Sequence, residues 1–177
     1  MPSRGSVEKV FETPWFDIEK ETLRSPKTHK GKTYYRLNCP NGVIIIAKTR
    51  DRKLILVRQF RPSLNRYTLE LPAGFIDEGE TPEFAASREL MEETGYLCSR
   101  MELIGSGNAM AERVNSRAFI VCGRNALREV GSRKEDGIKT LLVSRDRLEY
   151  LIANGKFDNL NALGSLFLAE RRGFFDD

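Results

Sequence analysis

Apolar positions alternate with polar ones early in the chain and recur with helical spacing later. Residues 7–13 (VEKVFET), 15–24 (WFDIEKETLR) and 31–37 (GKTYYRL) carry β-branched and aromatic residues in rough alternation, interrupted by Pro14 and by the polar stretch SPKTHKGK. This pattern predicts three short antiparallel strands. GVIIIAKT (42–49) and KLILVRQF (53–60), separated by the charged turn RDR, and then RYTLEL (66–71) are denser in apolar residues. They predict strands buried more deeply in a larger sheet. MELIGSG (101–107), SRAFIVCG (116–123) and IKTLLVS (138–144) repeat that pattern. Helical spacing runs from Pro82 to about Thr94, from Arg145 to Ala153 and from Asn159 to about Arg172, where Leu160, Leu163, Leu166, Phe167 and Leu168 form one broad stripe. No repeat or compositional linker divides the chain, so residues 1–40 read as a small N-terminal sheet attached to an α/β core.

Composition narrows this picture without naming a partner. A chain of 177 residues with 40% hydrophobic and 31% charged positions has the makings of one packed core. All seven prolines lie in the first 82 residues, so the two halves are built differently. A formal charge of +4 favours anionic ligands mildly but falls short of a nucleic-acid-binding arm. Cys39, Cys98 and Cys122 are odd in number and lack the paired spacing of a zinc site, as expected of reduced thiols. No apolar run is long enough to span a bilayer and the start MPSRGSVEKVFE has no signal-like apolar middle, so a soluble cytoplasmic protein with no membrane partner is expected. The single histidine, His29, sits in a polar loop, which leaves no Ser-His-Asp triad and no three-histidine metal site.

The chemistry concentrates in ELPAGFIDEGETPEFAASRELMEETGY, residues 70–96. Thr81 suits an N-cap, Pro82 the first helical position, Glu80 and Glu83 the positive end, and Gly95 a left-handed C-terminus. On that helix Glu89, Glu92 and Glu93 stand at i, i+3 and i+4, which puts three carboxylates on one face. Their mutual repulsion calls for an offsetting positive charge, and a hard divalent cation sharing a substrate phosphate suits it. Arg88 lies one turn before Glu92 and is placed to hold that carboxylate in a fixed rotamer. Gly74 and Gly79 bracket an acidic loop whose backbone carbonyls can add ligands.

These residues resemble the Nudix box. After Gly74 come five residues, Glu80, seven residues, Arg88-Glu89, Leu90, one residue, Glu92-Glu93, one residue and Gly95, with aromatic Tyr96 in the closing hydrophobic position. The preceding LILVRQFRPSLNRYTLELPAG resembles the nucleoside-diphosphate-sugar branch, typified by ADP-ribose pyrophosphatases. The resemblance implies an α+β fold, a Nudix-type α/β/α sandwich with a mixed sheet over residues 41–177. Residues 1–40 would form a three-stranded antiparallel β subdomain that makes a homodimer and shares in the substrate site.

By the same resemblance Glu89, Glu92 and Glu93, with the backbone carbonyl of Ala73 or Gly74, would hold two or three Mg²⁺ or Mn²⁺ ions around a diphosphate. Glu92 and Glu135 are both candidates for the base that orients water, with Glu135 preferred. Arg88 would support the catalytic carboxylates. Arg58, Gln59, Arg61 and Glu70 resemble substrate-contacting positions, although Gln59 is nearly as well explained as a core-facing strand residue. Trp15 is expected near a nucleobase, while Phe16, Tyr34 and Tyr35 are expected in subdomain or dimer packing. One departure stands out: the branch has a Ser-Pro-Gly loop ending in Glu-Arg, and here Ser106-Gly107 replaces Ser-Pro while Glu112-Arg113 remains. Glu112 is a further substrate candidate, and the altered loop leaves the preferred nucleotide sugar open. The expected activity is metal-dependent cleavage of a nucleoside-diphosphate-sugar into a nucleoside monophosphate and a sugar phosphate, with no nucleic-acid partner. The alternatives are a nucleotide-sugar sensor with little catalysis, or a hydrolase of GDP-mannose or an oxidised nucleotide.

Overall fold

A computed structural model describes residues 3–131 and 135–176. The chain divides into two compact units, one comprising the N-terminal strands up to Asn41 with Gly107–Arg117, the other Gly42–Ser106 with the chain from Ala118 onward.

The first unit is an antiparallel sheet of β1 (Ser3–Glu12), β2 (Asp17–Arg24) and β3 (Gly31–Asn38), in that order. Its polar face is knitted by Arg36, which donates to Glu19 at 2.7 Å and Glu21 at 2.8 Å. The second strand starts at Asp17, two residues later than the alternation predicts. The cause is local: the Thr13 hydroxyl accepts from the Trp15 and Phe16 amides and donates to the Phe16 carbonyl, which turns the chain there. The segment Gly107–Arg117 joins this sheet through Leu37, whose amide donates to the Arg113 carbonyl and whose carbonyl accepts from the Asn115 amide.

The second unit is built on a mixed sheet. Its strands are β4 (Gly42–Thr49), β5 (Leu54–Arg61), β6 (Arg66–Glu70), β7 (Ala73–Phe75), β8 (Tyr96–Leu97), β9 (Met101–Gly107), β10 (Ala118–Arg128) and β11 (Lys139–Val143). The path is β11-β5-β4-β10-β8, with β6 added to β5, β7 to β4 and β9 to β10; β4 and β10 are parallel. Three helices complete it: α1 (Pro82–Thr94), α2 (Arg145–Ala153) and α3 (Leu160–Arg171).

Successive strand residues point to opposite faces, and this sorts the apolar side chains into two cores. Val43, Ile45, Ala47, Ile55 and Val121 pack with Ala85, Ala86 and Leu90 of α1. Ile46, Leu54, Leu56 and Cys122 pack with Leu148 and Leu151 of α2 and with Ala162, Leu166 and Ala169 of α3. Runs such as VIII and LILV are therefore apolar throughout because both faces are covered, giving the α/β/α layering. The short β7 and β8 carry no alternation of their own and exist through pairing with β4 and β10. Strand β10 runs past Gly123, where a register irregularity and the left-handed Asn125 let pairing resume at Ala126. No helix among the described residues is long and apolar enough to cross a membrane.

Candidate active site

Helix α1 is set by its ends. The Thr81 hydroxyl accepts from the Phe84 amide at 3.2 Å, Pro82 takes the first helical position, and Gly95, at φ 73°, donates its amide to Met91. With Ala85, Ala86 and Leu90 docked on the sheet, the helix presents Glu89 and Glu93 toward β7 and leaves Glu92 more open. The Glu89 carboxylate lies against Gly74: a Cβ at that position would come within 2.0–2.2 Å of it. Glycine is thus required by close approach, since any side chain there would displace the carboxylate. Glu93 is only 5% exposed and accepts from the Ala73 amide at 3.2 Å.

Arg88 ties these groups to the preceding loop. Its guanidinium grips Glu80 with two hydrogen bonds, 2.9 and 2.8 Å, and also donates to the Phe75 carbonyl at 3.0 Å. One nitrogen donates to Glu89 at 2.8 Å and to Glu92 at 3.3 Å. The i+4 contact foreseen with Glu92 is therefore present but is the longest of the set; the bidentate partner is Glu80. Those Arg88 hydrogen bonds, with one from the Asp77 amide, hold the Glu80 carboxyl down at about 2. Glu80 and other carboxylates raise the Arg88 guanidinium further above its already high range.

Burial acts in the opposite direction on the inner carboxylates. It pushes the Glu93 carboxyl up to about 8, with the Ala73 amide pulling down and the charges of Glu89 and Glu135 adding to the rise. Burial also raises Glu89, against the hydrogen bond from Arg88. A buried carboxylate without full compensation is the condition that a divalent cation relieves.

Two further elements complete the face. Arg61 of β5 makes a bidentate ion pair with Glu70 of β6, at 2.8 and 2.6 Å, and the Thr68 hydroxyl donates to the same carboxylate at 2.5 Å. Burial pushes Glu70 up, but these bonds outweigh it and leave the carboxyl below its usual range. Arg61 also feels the charges of Glu93 and Glu135. The Glu135 amide donates to the Glu92 carbonyl at 2.9 Å, one of the carbonyls that the end of α1 leaves without an intrahelical partner. Thr140 and Glu129 similarly take the carbonyls of Thr94 and Gly95, so the segment before β11 is fastened to the end of α1. Residues 132–134 of that loop lie outside the described residues.

The structure thus brings together Ala73, Arg61, Glu70, Arg88, Glu89, Glu92, Glu93 and Glu135. Arg58 does not join them. It is three positions from Arg61 on a strand, so it faces the other side of the sheet, where its guanidinium lies 3.9 Å from the centre of the Tyr67 ring. Trp15 and Glu112 belong to the other unit. Trp15 is 68% exposed on its Thr13 turn, and Glu112 is exposed in the segment tied to Leu37. Nothing lies within 4 Å of a Cβ built on Gly107, so no neighbour demands glycine at the departure from the Ser-Pro-Gly pattern. Sequence reading missed the closed Arg61–Glu70 pair and the Glu80 anchor; the odd separation of residues 58 and 61 was the available signal that only one of the two arginines faces α1.

Among the described residues, no three carboxylate, imidazole or thiolate side chains are gathered closely enough to enclose a metal by themselves. The donor set still fits a hard cation that takes one or two carboxylates and completes its shell with water and phosphate. Gly74 leaves room for the Glu89 carboxylate, and burial penalises the charged form of Glu93, a penalty that a bound cation would offset.

Known proteins resemble the chain in sequence and in fold. The chain is 40% identical over 104 residues to mouse ADP-sugar pyrophosphatase (51% of this chain, 46% of the mouse protein) and 37% identical over 97 residues to Bacillus subtilis ADP-ribose pyrophosphatase (55% and 52%). It is 46% identical over 96 residues to the methanol dehydrogenase activator of Bacillus methanolicus (54% and 51%). The chain spans about half the length of these curated relatives. Its fold is similar to the crystal structure of an ADP compounds hydrolase, with a TM-score of 0.86 over 99% of this chain and 95% of that one at 24% identity. Residues 40–157, more than half of the chain and the whole of the carboxylate face, match the NUDIX domain profile, and the protein belongs to that family.

Proposed function

We propose that the protein hydrolyses the pyrophosphate of a nucleoside diphosphate linked to a sugar, ADP-ribose or a close analogue, to a nucleoside monophosphate and a sugar phosphate. The observation that carries this reading is the carboxylate of Glu89 seated on the Cα of Gly74 beside the buried Glu93, on a helix held by Arg88. The ADP-sugar and ADP-ribose pyrophosphatases among its relatives support the substrate class.

Glu89, Glu92 and Glu93, with the Ala73 or Gly74 carbonyl, would hold Mg²⁺ or Mn²⁺. A divalent cation there supplies polarisation of the phosphoryl oxygens and neutralises charge on the attacking and leaving oxygens. Arg88 keeps Glu89 and Glu92 in place while anchoring the 75–80 loop through Glu80. Arg61, fixed by Glu70, orients its remaining N–H edge and adds positive charge beside the carboxylates. Glu135 or Glu92 accepts a proton from the attacking water as its oxygen bonds to one phosphorus and the bridging oxygen departs with the other. Glu135 is favoured because its backbone is fastened at the end of α1 while its carboxylate charge acts on Glu89 and Glu93. Trp15 and Glu112 are assigned to the nucleobase and sugar ends. Pairing of two chains through the N-terminal sheet is proposed from the exposed Val7, Phe11 and Tyr35.

The test is incubation of pure protein and Mg²⁺ with ADP-ribose, GDP-mannose, UDP-glucose, dinucleoside polyphosphates and oxidised nucleoside triphosphates, with products identified. Fastest cleavage of a sugar diphosphate to a monophosphate and a sugar phosphate supports the reading; faster cleavage of triphosphates reassigns the substrate. A second reading, action on another protein, is favoured by the name of the B. methanolicus relative. It predicts no turnover of any member of the panel.

A further inference from the structure

The sheet face turned away from α1 carries a groove of about 590 Å³ lined by parts of β5, β6 and α2 and by the turn that follows α2. Arg58, Arg66, Arg147 and Lys156 line it together with Tyr67 and Tyr150, and no carboxylate does. Arg66 is paired with Asp158 at 2.5 Å. Among the described residues, Arg58, Arg147 and Lys156 have no ion-pair partner: Arg58 stacks on Tyr67 at 3.9 Å, and Arg147 lies over Tyr150 at 4.9 Å. The negative end of α2 does not serve them either, because its carbonyls are taken internally. The Asn154 amide and side chain donate to Tyr150, and the Lys156 and Phe157 amides donate to Leu151.

Three like charges lining one groove sum to a positive potential there, which attracts an anion. Each guanidinium lies over a tyrosine ring, and with no carboxylate paired to it its N–H groups can meet phosphate oxygens. Tyr67 and Tyr150 are both about half exposed and offer ring surface for a planar base. The volume suits one small ligand, and Arg58, Arg147 and Lys156 line one groove of that size instead of tracking along an extended surface as a polymer site requires.

We propose that this groove is a second, non-catalytic nucleotide site that takes a nucleoside mono- or diphosphate, its phosphate between Arg58, Arg147 and Lys156 and its base against the tyrosines. It lies on the opposite side of the sheet from the carboxylates, so its occupancy is independent of divalent cations.

Calorimetric titration of the full chain with AMP and ADP in EDTA tests this, using the wild type, Arg58→Gln/Arg147→Gln and Glu92→Gln. The wild type is expected to bind one nucleotide with Kd below about 1 mM, the double variant at least about tenfold more weakly, and Glu92→Gln within about twofold of the wild type. Inorganic phosphate and ribose 5-phosphate should bind at least about tenfold more weakly than AMP, because they lack the base. Thermal melts verify folding; if the double variant is unfolded, Lys156→Gln replaces it, with the same direction of loss expected. Absence of saturable binding, equal affinity in the groove variants, or a change confined to Glu92→Gln overturns the proposal. So does phosphate binding as tightly as AMP, or a single-stranded RNA oligomer binding far more tightly than any mononucleotide.

Discussion

The two faces of the second unit's sheet are made by the same strands and carry charge in opposite ways. Toward α1, charged groups are buried or clamped: Glu93 is sealed against Ala73, Glu89 against Gly74, and Arg61 closes on a Glu70 that is itself only 6% exposed. Away from α1, Arg58, Arg147 and Lys156 are exposed, and the two arginines lean on tyrosine rings. Burial is what separates them. A carboxylate in a dry site carries a shifted pKa and an unsatisfied demand for positive charge, whereas an exposed guanidinium is solvated and waits for an anion at little cost. Strand β5 shows the contrast within four residues, with Arg58 on one side and Arg61 on the other.

The largest expected break in this contrast comes from Glu92→Gln. It should lower turnover of the preferred sugar diphosphate about a hundredfold or more while leaving the thermal melt within about 2 °C of the wild type. Steady-state kinetics with purified protein decides it, and unchanged turnover would sink the catalytic assignment.

Gly74→Ala comes next. Its methyl group would meet the Glu89 carboxylate at about 2 Å, so that side chain must leave its position. A loss of about tenfold or more in kcat/KM is expected, with roughly 1–3 kcal/mol of destabilisation by urea titration. A fully active variant would show that the seat of Glu89 does not matter.

The two ion pairs that flank β6 sharpen the comparison further. Arg61→Gln strands the buried Glu70 and should cost about 2 kcal/mol, less than a fully enclosed pair because Arg61 is partly solvated. Arg66→Gln removes an exposed pair with Asp158 and should cost less than about 1 kcal/mol. Equal costs in chemical denaturation would mean that burial does not distinguish the two sides.

The smallest effect is in pH dependence. Glu93 in the folded chain is raised to about 8 by burial, so its contribution to metal-free stability is fully present below its unfolded value and is lost as pH rises through about 8. Mg²⁺ relieves that penalty, and its stabilising effect should grow from under about 1 °C in Tm at pH 6 to about 4 °C at pH 9. Glu80 runs the other way: it is held down at about 2, and its contribution fades only as pH falls toward that value. A Mg²⁺ shift that is independent of pH would contradict the role given to Glu93.

Much of this was legible along the chain. Thr81, Pro82 and Gly95 mark α1 to the residue, and GVIIIAKT and Arg145–Ala153 coincide with β4 and α2. Local signals sufficed there because caps, proline and periodicity act within a few residues. Residues 73–75 and 96–97 were unreadable as strands, since two or three positions hold no period and only β4 and β10 make them pair. Arg88 could reach Glu92 by spacing alone, yet the 75–80 loop folds back and offers Glu80 with better geometry.

By itself the amino-acid order determined that a capped helix would carry Glu89, Glu92 and Glu93 on one side, because helical pitch depends on nothing beyond the local backbone. Only the tertiary structure decided that Glu93 would be buried, that Glu89 would rest on Gly74, and that Arg58 would be parted from Arg61. Those outcomes depend on which distant elements exclude water around each group, and desolvation is a property of the packed whole.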